Sequence, residues 1–234
     1  MKVAKSVITG GAGFIGSNLT DRLLDMGHKV TVLDNFVSGK KSNLAHHNKK
    51  NLKIVNIDIS KSENLDKYFK KVDYIFHLAA LAEIIPSFKN PKKYFINNVI
   101  GTLNVLKAAK KNKIKKMIYA ASSSCYGAPK KFPTSEKDKI DLKHPYAVTK
   151  FIGEELVMRY ALMFNMPNIS CRFFNVYGPR LNVSGQYSAV IGNFLSQTKS
   201  KKALTVVGDG KQTRDFIHVD DLVNAFIKII KSKS

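Results

Sequence analysis

The chain is poor in cysteine, arginine and acidic residues, and each shortage closes off a class of function. Only Cys125 and Cys171 occur among 234 residues, far apart in the sequence. That excludes a disulfide framework and fits a reducing, cytoplasmic setting. With cysteine so scarce, no histidine or cysteine cluster has metal-ligand spacing; His46-His47 reads as loop, and no metal is expected. No apolar run approaches the roughly 18–20 residues that span a bilayer, and no leader precedes the first strand-like run, so no membrane partner is expected. Acidic residues number 17 against 39 basic ones, a net charge of +22. Such a charge invites nucleic acid, but only five of the basic residues are arginine and 34 are lysine. Bidentate phosphate and base recognition favour arginine. The lysines are scattered in pairs such as Lys70-Lys71, Lys92-Lys93 and Lys110-Lys111 at helix ends and turns, without interleaved aromatics. They read as a solvated surface, so no nucleic-acid partner is expected.

What the chain does contain starts at its N-terminus. Gly10, Gly13 and Gly16 form Gly-x-x-Gly-x-x-Gly between a strand-like run (Lys2–Thr9) and a helix-like run that opens at Phe14-Ile15 and extends to Met26. One glycine permits the tight turn, one lets backbone approach a pyrophosphate, and one lets the helix pack close to the strand. The helix N-terminus adds free N–H groups and a positive dipole end. Asp34 closes the second apolar run, where a carboxylate accepts hydrogen bonds from adenosine ribose hydroxyls and repels a 2′-phosphate. That favours NAD over NADP, with Lys40 and Lys41 nearby pulling the other way.

Short apolar runs (Lys2–Thr9, Lys29–Leu33, Leu52–Ile57, Tyr74–Leu78, Met117–Ala121, Ile169–Phe174) alternate with helix-period segments (Phe14–Met26, Tyr94–Lys110, Tyr146–Phe164). The alternation predicts an α/β fold: a Rossmann-type, doubly wound parallel sheet with helices on both faces. The apolar stripes of the helices from Tyr94 and Tyr146 are core-forming, and the pair also offers a two-fold contact for a homodimer. After Phe174 the pattern changes. A turn-rich stretch (Asn175–Gln186) leads to a helix-like run (Ala189–Lys199), short strands (Leu204–Val207, Asp215–His218) and a last helix (Asp220–Lys231). The expected domains are residues 1–174, and residues 175–234 as the start of a small C-terminal substrate-binding domain.

Tyr146-x-x-x-Lys150 is the second signal. Four residues apart on a helix, the phenol and the ammonium share a face. A nearby ammonium stabilises the phenolate and lowers a tyrosine pKa that starts near 10. Tyr146 and Lys150 are thus a candidate catalytic pair, the lysine also reaching the nicotinamide ribose. A hydroxyl at the end of a preceding strand should complete the set; Ser122 is favoured, with Ser123 second, both also readable as a turn capping the strand. His77 reads as a packing residue at a strand end rather than a base.

With these residues in hand, the chain resembles the extended short-chain dehydrogenase/reductase family, in particular its nucleotide-sugar epimerases and dehydratases. The match runs through Thr9–Gly16, Asp34-Asn35, Asp58-Ile59, His77–Ala80, Asn98–Thr102, Ser122–Ser124 before Tyr126-Gly127, Tyr146-x-x-x-Lys150, Arg172–Arg180 and Gly208–His218. The resemblance implies that Asp58 and Ile59 hold the adenine and that Leu78, Ala79 and Ala80 line the dinucleotide. Asn35, Ser38, Gly39 and Asn98 join that site. It implies Asn175 on a nucleotide-sugar substrate, Arg214 on its diphosphate, and Ser122 and Tyr146 on the sugar. Glu83 departs from the small or polar residues such epimerases place there, and is read either as a contact to a sugar hydroxyl or amide or as turned away. Sugar 4,6-dehydratases carry Asp-Glu just after the strand-end hydroxyl, where Ser123 and Ser124 stand here; the decarboxylases carry a glutamate at the position of Ser124. What remains is NAD-dependent 4-epimerisation of a UDP-hexose, such as UDP-glucose or UDP-N-acetylglucosamine, through a 4-keto sugar. The alternatives are a reductase or dehydratase of the same family, or a cofactor-binding fragment without turnover, since family members usually continue beyond a position equivalent to Ser234.

Overall fold

A computed structural model describes residues 3–47, 50–62, 64–129, 131–181 and 190–232. Six parallel strands form the main sheet: β1 (Lys5–Thr9), β2 (Lys29–Asp34), β3 (Leu52–Asn56), β4 (Tyr74–His77), β5 (Lys116–Ala120) and β6 (Asn168–Cys171). Their order is β3-β2-β1-β4-β5-β6. The order reverses between β1 and β4, where Thr9 lies opposite His77. A crevice opens outside the carboxyl ends of strands at such a switch point, and ligands gather there. The central strands are apolar because both faces are covered: Val7, Ile8, Ile75, Phe76, Met117 and Ile118 are all fully buried.

The helices are α1 (Phe14–Asp25), the single turn α2 (Asp66–Phe69), α3 (Ile84–Lys89), α4 (Pro91–Phe95), α5 (Gly101–Asn112), α6 (Pro145–Phe164), α7 (Val190–Lys199) and α8 (Val219–Lys231). α2, α5 and α6 cover one face of the sheet, packing Phe69, Val105, Leu106, Ala109 and Val157 against Val7, Ile75 and Met117. α1 and α8 cover the other, with Leu19, Leu23, Leu222 and Phe226 against Ile8, Val32, Phe76 and Ile118. α8 thus lies on the Rossmann sheet, although the sequence grouped it with residues 175–234. Its six buried apolar side chains contribute on the order of 10 kcal/mol of burial, enough to hold it there. Asp220 and Asp221 in its first turn and Lys228 and Lys231 in its last complement the helix dipole.

Pro145 at its first turn and the His144 side chain, accepting a hydrogen bond from Ala147 N–H at 3.1 Å, start α6. Asn165, left-handed at φ 49°, ends it. The single helix expected over Tyr94–Lys110 is divided: α4 runs into one π-turn (Ile96–Ile100) before α5. Such bulges rotate the face a helix presents, with a consequence for the site below.

Two differences fall in the C-terminal portion. Leu204–Val207 forms no strand; Val206 and Val207 are 58% and 75% exposed. Instead β8 (Phe216–His218) pairs in parallel with β7 (Asn175–Tyr177), inside the stretch expected to be turns. Residues 182–186 of that stretch, and Ala189 at the expected start of α7, lie outside the described residues. No helix among the described residues is long and apolar enough to cross a membrane.

Candidate active site

A cavity of about 290 Å³ follows the carboxyl ends of the strands from Asp58 to Tyr146 and Lys150. Its floor is the β1–α1 turn. Gly10 has φ +72°, and a Cβ on it would come 2.8 Å from the Cα and N of Ala79. A Cβ on Gly16 would fall on the Gly10 carbonyl oxygen and lie 2.7 Å from the Gly11 Cα. Glycine is therefore a steric requirement at both places. α1 starts at Gly13 with no side-chain cap and no acidic residue in its first turn. Its N–H groups are thus left for an anion.

Asp34 is anchored by the Ala12 N–H (2.9 Å) on one oxygen and the Phe36 N–H (2.8 Å) on the other. Each carboxylate oxygen keeps acceptor capacity for a ribose hydroxyl. Partial burial opposes ionisation of Asp58, but hydrogen bonds from the Ser60 hydroxyl and N–H hold it below the usual carboxylate range. Anchored carboxylates at Asp34 and Asp58, glycine-floored backbone and an uncapped helix N-terminus fit a dinucleotide.

At the other end of the cavity, α6 presents Tyr146 and Lys150. Ser87 Oγ accepts from the Tyr146 N–H at 3.2 Å and fixes the entry to the helix. Burial lowers the Lys150 pKa from 10.5 to about 7, with Glu154 acting in the opposite direction. Its Nζ lies 4.3 Å from the centroid of the Tyr119 ring, and the Tyr119 hydroxyl donates to the Lys150 carbonyl at 3.2 Å. Glu154, one turn further, is held by Arg172: Nε lies 2.9 and 3.0 Å from its two oxygens, and Nη2 2.8 Å from one of them. Burial pushes the Tyr146 phenol up, and a hydrogen bond with Ser122 pulls it down. Burial outweighs that hydrogen bond, and the net shift is upward, opposite to the lowering expected from Lys150.

The sequence did not show the polar chain beneath this site. The Ala79 N–H donates to Thr9 Oγ1 (3.3 Å), and Thr9 Oγ1 meets His77 Nδ1 at 2.6 Å. His77 Nε2 meets Thr102 Oγ1 at 2.8 Å, and Thr102 donates to the Asn98 carbonyl at 2.6 Å. Since Thr102 spends its proton on Asn98, Nε2 carries the histidine proton and Nδ1 accepts from Thr9. Burial lowers the His77 pKa to about 3, so the ring stays neutral and structural.

Gly10, Gly13, Phe14, Ile15, Gly16, Asp34, Asn35, Ser38, Asp58, Ile59, Leu78, Ala79, Ala80, Tyr146 and Lys150 all line the cavity. The other expected site residues do not. Gly39 lies behind Asp34, where a Cβ would meet both carboxylate oxygens at 2.9 Å. Asn98 is buried and bonds the Leu81 N–H (2.8 Å), the Leu81 carbonyl (3.0 Å) and Thr149 Oγ1 (3.0 Å). The π-turn brings Asn97 to the cavity instead. Ser122 and Ser123 stand in the turn after β5 rather than in the cavity wall; Ser122 caps that turn through the Ser124 N–H at 3.2 Å. Glu83 is exposed at the start of α3, outside the cavity. Burial, then the Glu83 charge, raises the pKa of Tyr94, which also feels Tyr146. Asn175 donates to the Asp215 carbonyl at 2.9 Å, and Arg214 is exposed with Nη1 on the Thr213 carbonyl at 2.7 Å. Leu33, Val37, Ile57, Ala82 and Phe173 line the cavity without having been foreseen. For Leu33 and Ile57 the available signal was their position at the carboxyl ends of strand-like runs.

Glycine floor, anchored carboxylates and a Tyr-x-x-x-Lys pair at the switch point make up a dinucleotide site of the short-chain dehydrogenase/reductase type. The chain belongs to the NAD dependent epimerase/dehydratase family, whose model matches residues 6–234, and its cofactor is NAD. It is 37% identical over 238 residues to UDP-glucuronic acid decarboxylase 4 of Arabidopsis thaliana, covering 99% of this chain and 52% of that protein. It is 35% identical over 231 residues to a putative UDP-glucose 4-epimerase of Methanocaldococcus jannaschii, covering 97% of this chain and 74% of that one. The chain thus spans about half the length of the first relative and about three quarters of the second. Among solved structures, the UDP-N-acetylglucosamine 4-epimerase of Methanobrevibacter ruminantium M1, in complex with UDP-N-acetylmuramic acid, superposes with a TM-score of 0.96 at 38% identity. That match covers 100% of this chain and 75% of that one.

Proposed function

We propose that this chain carries the catalytic portion of an NAD-dependent 4-epimerase of a UDP-hexose, UDP-glucose or UDP-N-acetylglucosamine in type. The observation that carries the reading is the make-up of the turn beside Tyr146. Ser122, Ser123 and Ser124 offer hydroxyls only, with no carboxylate to drive elimination or decarboxylation. Tyr146 takes the proton from the sugar 4-hydroxyl, with Ser122 hydrogen-bonded to the phenol and to the same hydroxyl. Lys150 holds the nicotinamide ribose. With a pKa already near 7, it takes up a proton when a phenolate forms beside it. NAD, when bound, supplies the hydride acceptor and donor at C4 of the sugar. The closed chemistry of oxidation and return leaves no net NADH. Gly10, Gly13 and Gly16 hold the pyrophosphate, Asp34 the adenosine ribose, and Asp58 and Ile59 the adenine.

The stretch from Asn175 up to α8 forms the start of the substrate-binding domain in this reading, with Asn175 on the nucleotide-sugar, Arg214 on its diphosphate and Glu83 on the sugar. The exposed apolar side chains of α6, Leu162 and Met163 among them, form a two-helix dimer contact with α5. A decarboxylase reading draws on the Arabidopsis relative, and Ser124 in place of a glutamate argues against it.

The test is a product assay. Purified protein, supplied with NAD, is incubated with UDP-glucose, UDP-N-acetylglucosamine and UDP-glucuronate, and the sugars are separated by anion-exchange chromatography. The expected result is interconversion of gluco and galacto forms without net NADH, lost in Tyr146→Phe. A pentose product from UDP-glucuronate would overturn the reading in favour of decarboxylation. Absence of turnover with NAD bound would overturn it in favour of cofactor binding alone.

A further inference from the structure

Two turns along α1 from Phe14, the fold gathers two histidines and a carboxylate, Asp21 standing some 25 positions from the histidines in sequence. His46 Nε2 lies 3.3 Å, and His47 Nε2 2.5 Å, from the same oxygen, Oδ1 of Asp21. The two imidazole centroids are 4.0 Å apart, and all three donor atoms lie within 4.8 Å of one another. The second oxygen of Asp21 is taken by Arg180, whose Nη2 lies 2.5 Å from Oδ2.

We propose that Asp21, His46 and His47 form a binding site for a first-row divalent transition metal, with Zn²⁺ as the best match. Nitrogen and carboxylate donors about 2.0–2.2 Å from a tetrahedral zinc stand roughly 3.3 Å from one another. The His46–Asp21 separation already has that value, and the His47–Asp21 hydrogen bond opens to it when the metal displaces its proton. Two imidazoles select zinc, nickel or copper over the hard cations calcium and magnesium, which take oxygen donors. Arg180 on Oδ2 fixes the carboxylate, so that Oδ1 faces the histidines; outer partners of this kind orient a metal ligand. The fourth position is left to water.

The location gives the site a structural consequence. Asp21 is on α1, and the histidines follow the 3-10 turn Lys41–Leu44 in the β2–β3 connection. That connection leaves Asp34, passes Val37 and Ser38 at the cavity, and is tied to the β1–α1 turn where Lys40 N and Asn43 Nδ2 donate to the Ala12 carbonyl at 3.0 and 2.9 Å. A metal here pins the loop that flanks the adenosine half of the cavity to α1 and, through Arg180, to the segment after β7.

The experiment uses untagged protein stripped with a chelator and titrated with Zn²⁺ against a chromophoric competitor, in parallel with Co²⁺ for its visible d–d absorption. The expected result is one equivalent of bound metal and a tetrahedral Co²⁺ spectrum. Both are lost or weakened at least about tenfold in the double variant His46→Asn, His47→Asn. The melting temperature of wild type should rise with Zn²⁺ relative to chelator, while that of the variant should not. Absence of stoichiometric binding, or binding unchanged in the double variant, overturns the proposal. A variant that melts lower in chelator and still binds one equivalent assigns the cluster to hydrogen bonding alone and overturns it equally.

Discussion

Replacing Lys150 with methionine should make the protein more stable while abolishing turnover, and the size of the effect follows from the site. Lys150 is 4% exposed, and burial lowers its pKa from 10.5 to about 7. That drop corresponds to about 5 kcal/mol of preference for the neutral amine inside the fold. That preference is the net cost of seating the charged lysine against the Tyr119 ring, whose centroid lies 4.3 Å from Nζ. The unfolded chain keeps this lysine protonated up to about pH 10.4, whereas the folded protein releases the proton near pH 7. Between those values the unfolded state binds more protons, so wild-type stability rises with pH. The cost is fully present below pH 7 and vanishes above about pH 10.4. Methionine has similar reach and no charge. Lys150→Met should gain up to about 5 kcal/mol at pH 6, a rise of roughly 10–20 °C in melting temperature for a domain of this size, and the gain should fade as pH approaches 10. Urea unfolding of both proteins at pH 6 and 9.5 measures it, with the product assay in parallel. A variant less stable than wild type at pH 6, or a difference independent of pH, would refute the reasoning.

Three further substitutions probe neighbouring features. Gly153→Ala places a Cβ on the Tyr119 hydroxyl and 3.1 Å from its Cζ. Overpacking there should cost about 1–3 kcal/mol and lower kcat, because the displaced ring carries Lys150; unchanged melting and kcat would contradict the packing. Gly16→Ala drives a methyl group into backbone, so NADH titration by fluorescence should show binding lost; binding within threefold of wild type would count against the glycine floor. Glu154→Gln leaves Arg172 without its carboxylate and should cost about 3 kcal/mol. Since Glu154 raises the Lys150 pKa, its loss should move the limb of the kcat profile that Lys150 governs to lower pH, and an unmoved limb would separate Glu154 from Lys150.

Legibility in the sequence followed the range of the interactions. The six central strands could be read because strands covered on both faces are continuous apolar runs, and the glycine turn because its constraint is local. β7 could not: Asn175–Tyr177 is three residues long and becomes a strand only by pairing with Phe216–His218, some forty positions away. Leu204–Val207 has the composition of a strand but finds no partner among the described residues. Asn98 was placed at the cofactor by the family resemblance; it is turned onto Leu81 and Thr149, and Asn97 of the same π-turn lines the cavity. The Thr9–His77–Thr102 chain and the Asp21, His46, His47 cluster join residues tens of positions apart, and nothing in local patterning marks them.

The distribution of buried polar groups argues that the switch-point end of the sheet is held together against a local energetic cost. Thr9, His77, Asn98, Thr102, Thr149 and Lys150 are all buried. Thr149 Oγ1 accepts from Asn98 at 3.0 Å and donates to the Tyr146 carbonyl at 2.9 Å. The chain of hydrogen bonds thus runs from the first strand to the first turn of α6. Each of these groups gains only about 0.5–1.5 kcal/mol net from its bond, while an unmatched one costs about 1–3 kcal/mol. The network therefore adds little net stability and serves mainly to fix geometry: a tyrosine and a lysine one helical turn apart, at a set distance from the glycine floor. The stability that permits it comes from the other face, where α1 and α8 bury apolar side chains that bear no chemistry. Truncating α8, for example Ile227→Ala at a buried position in the apolar cluster between α1, α8 and the sheet, should remove about 2–5 kcal/mol. It should do so without touching the cavity, lowering the melting temperature while leaving NADH affinity per folded molecule unchanged. A loss of affinity in step with stability would show that the two faces are not independent.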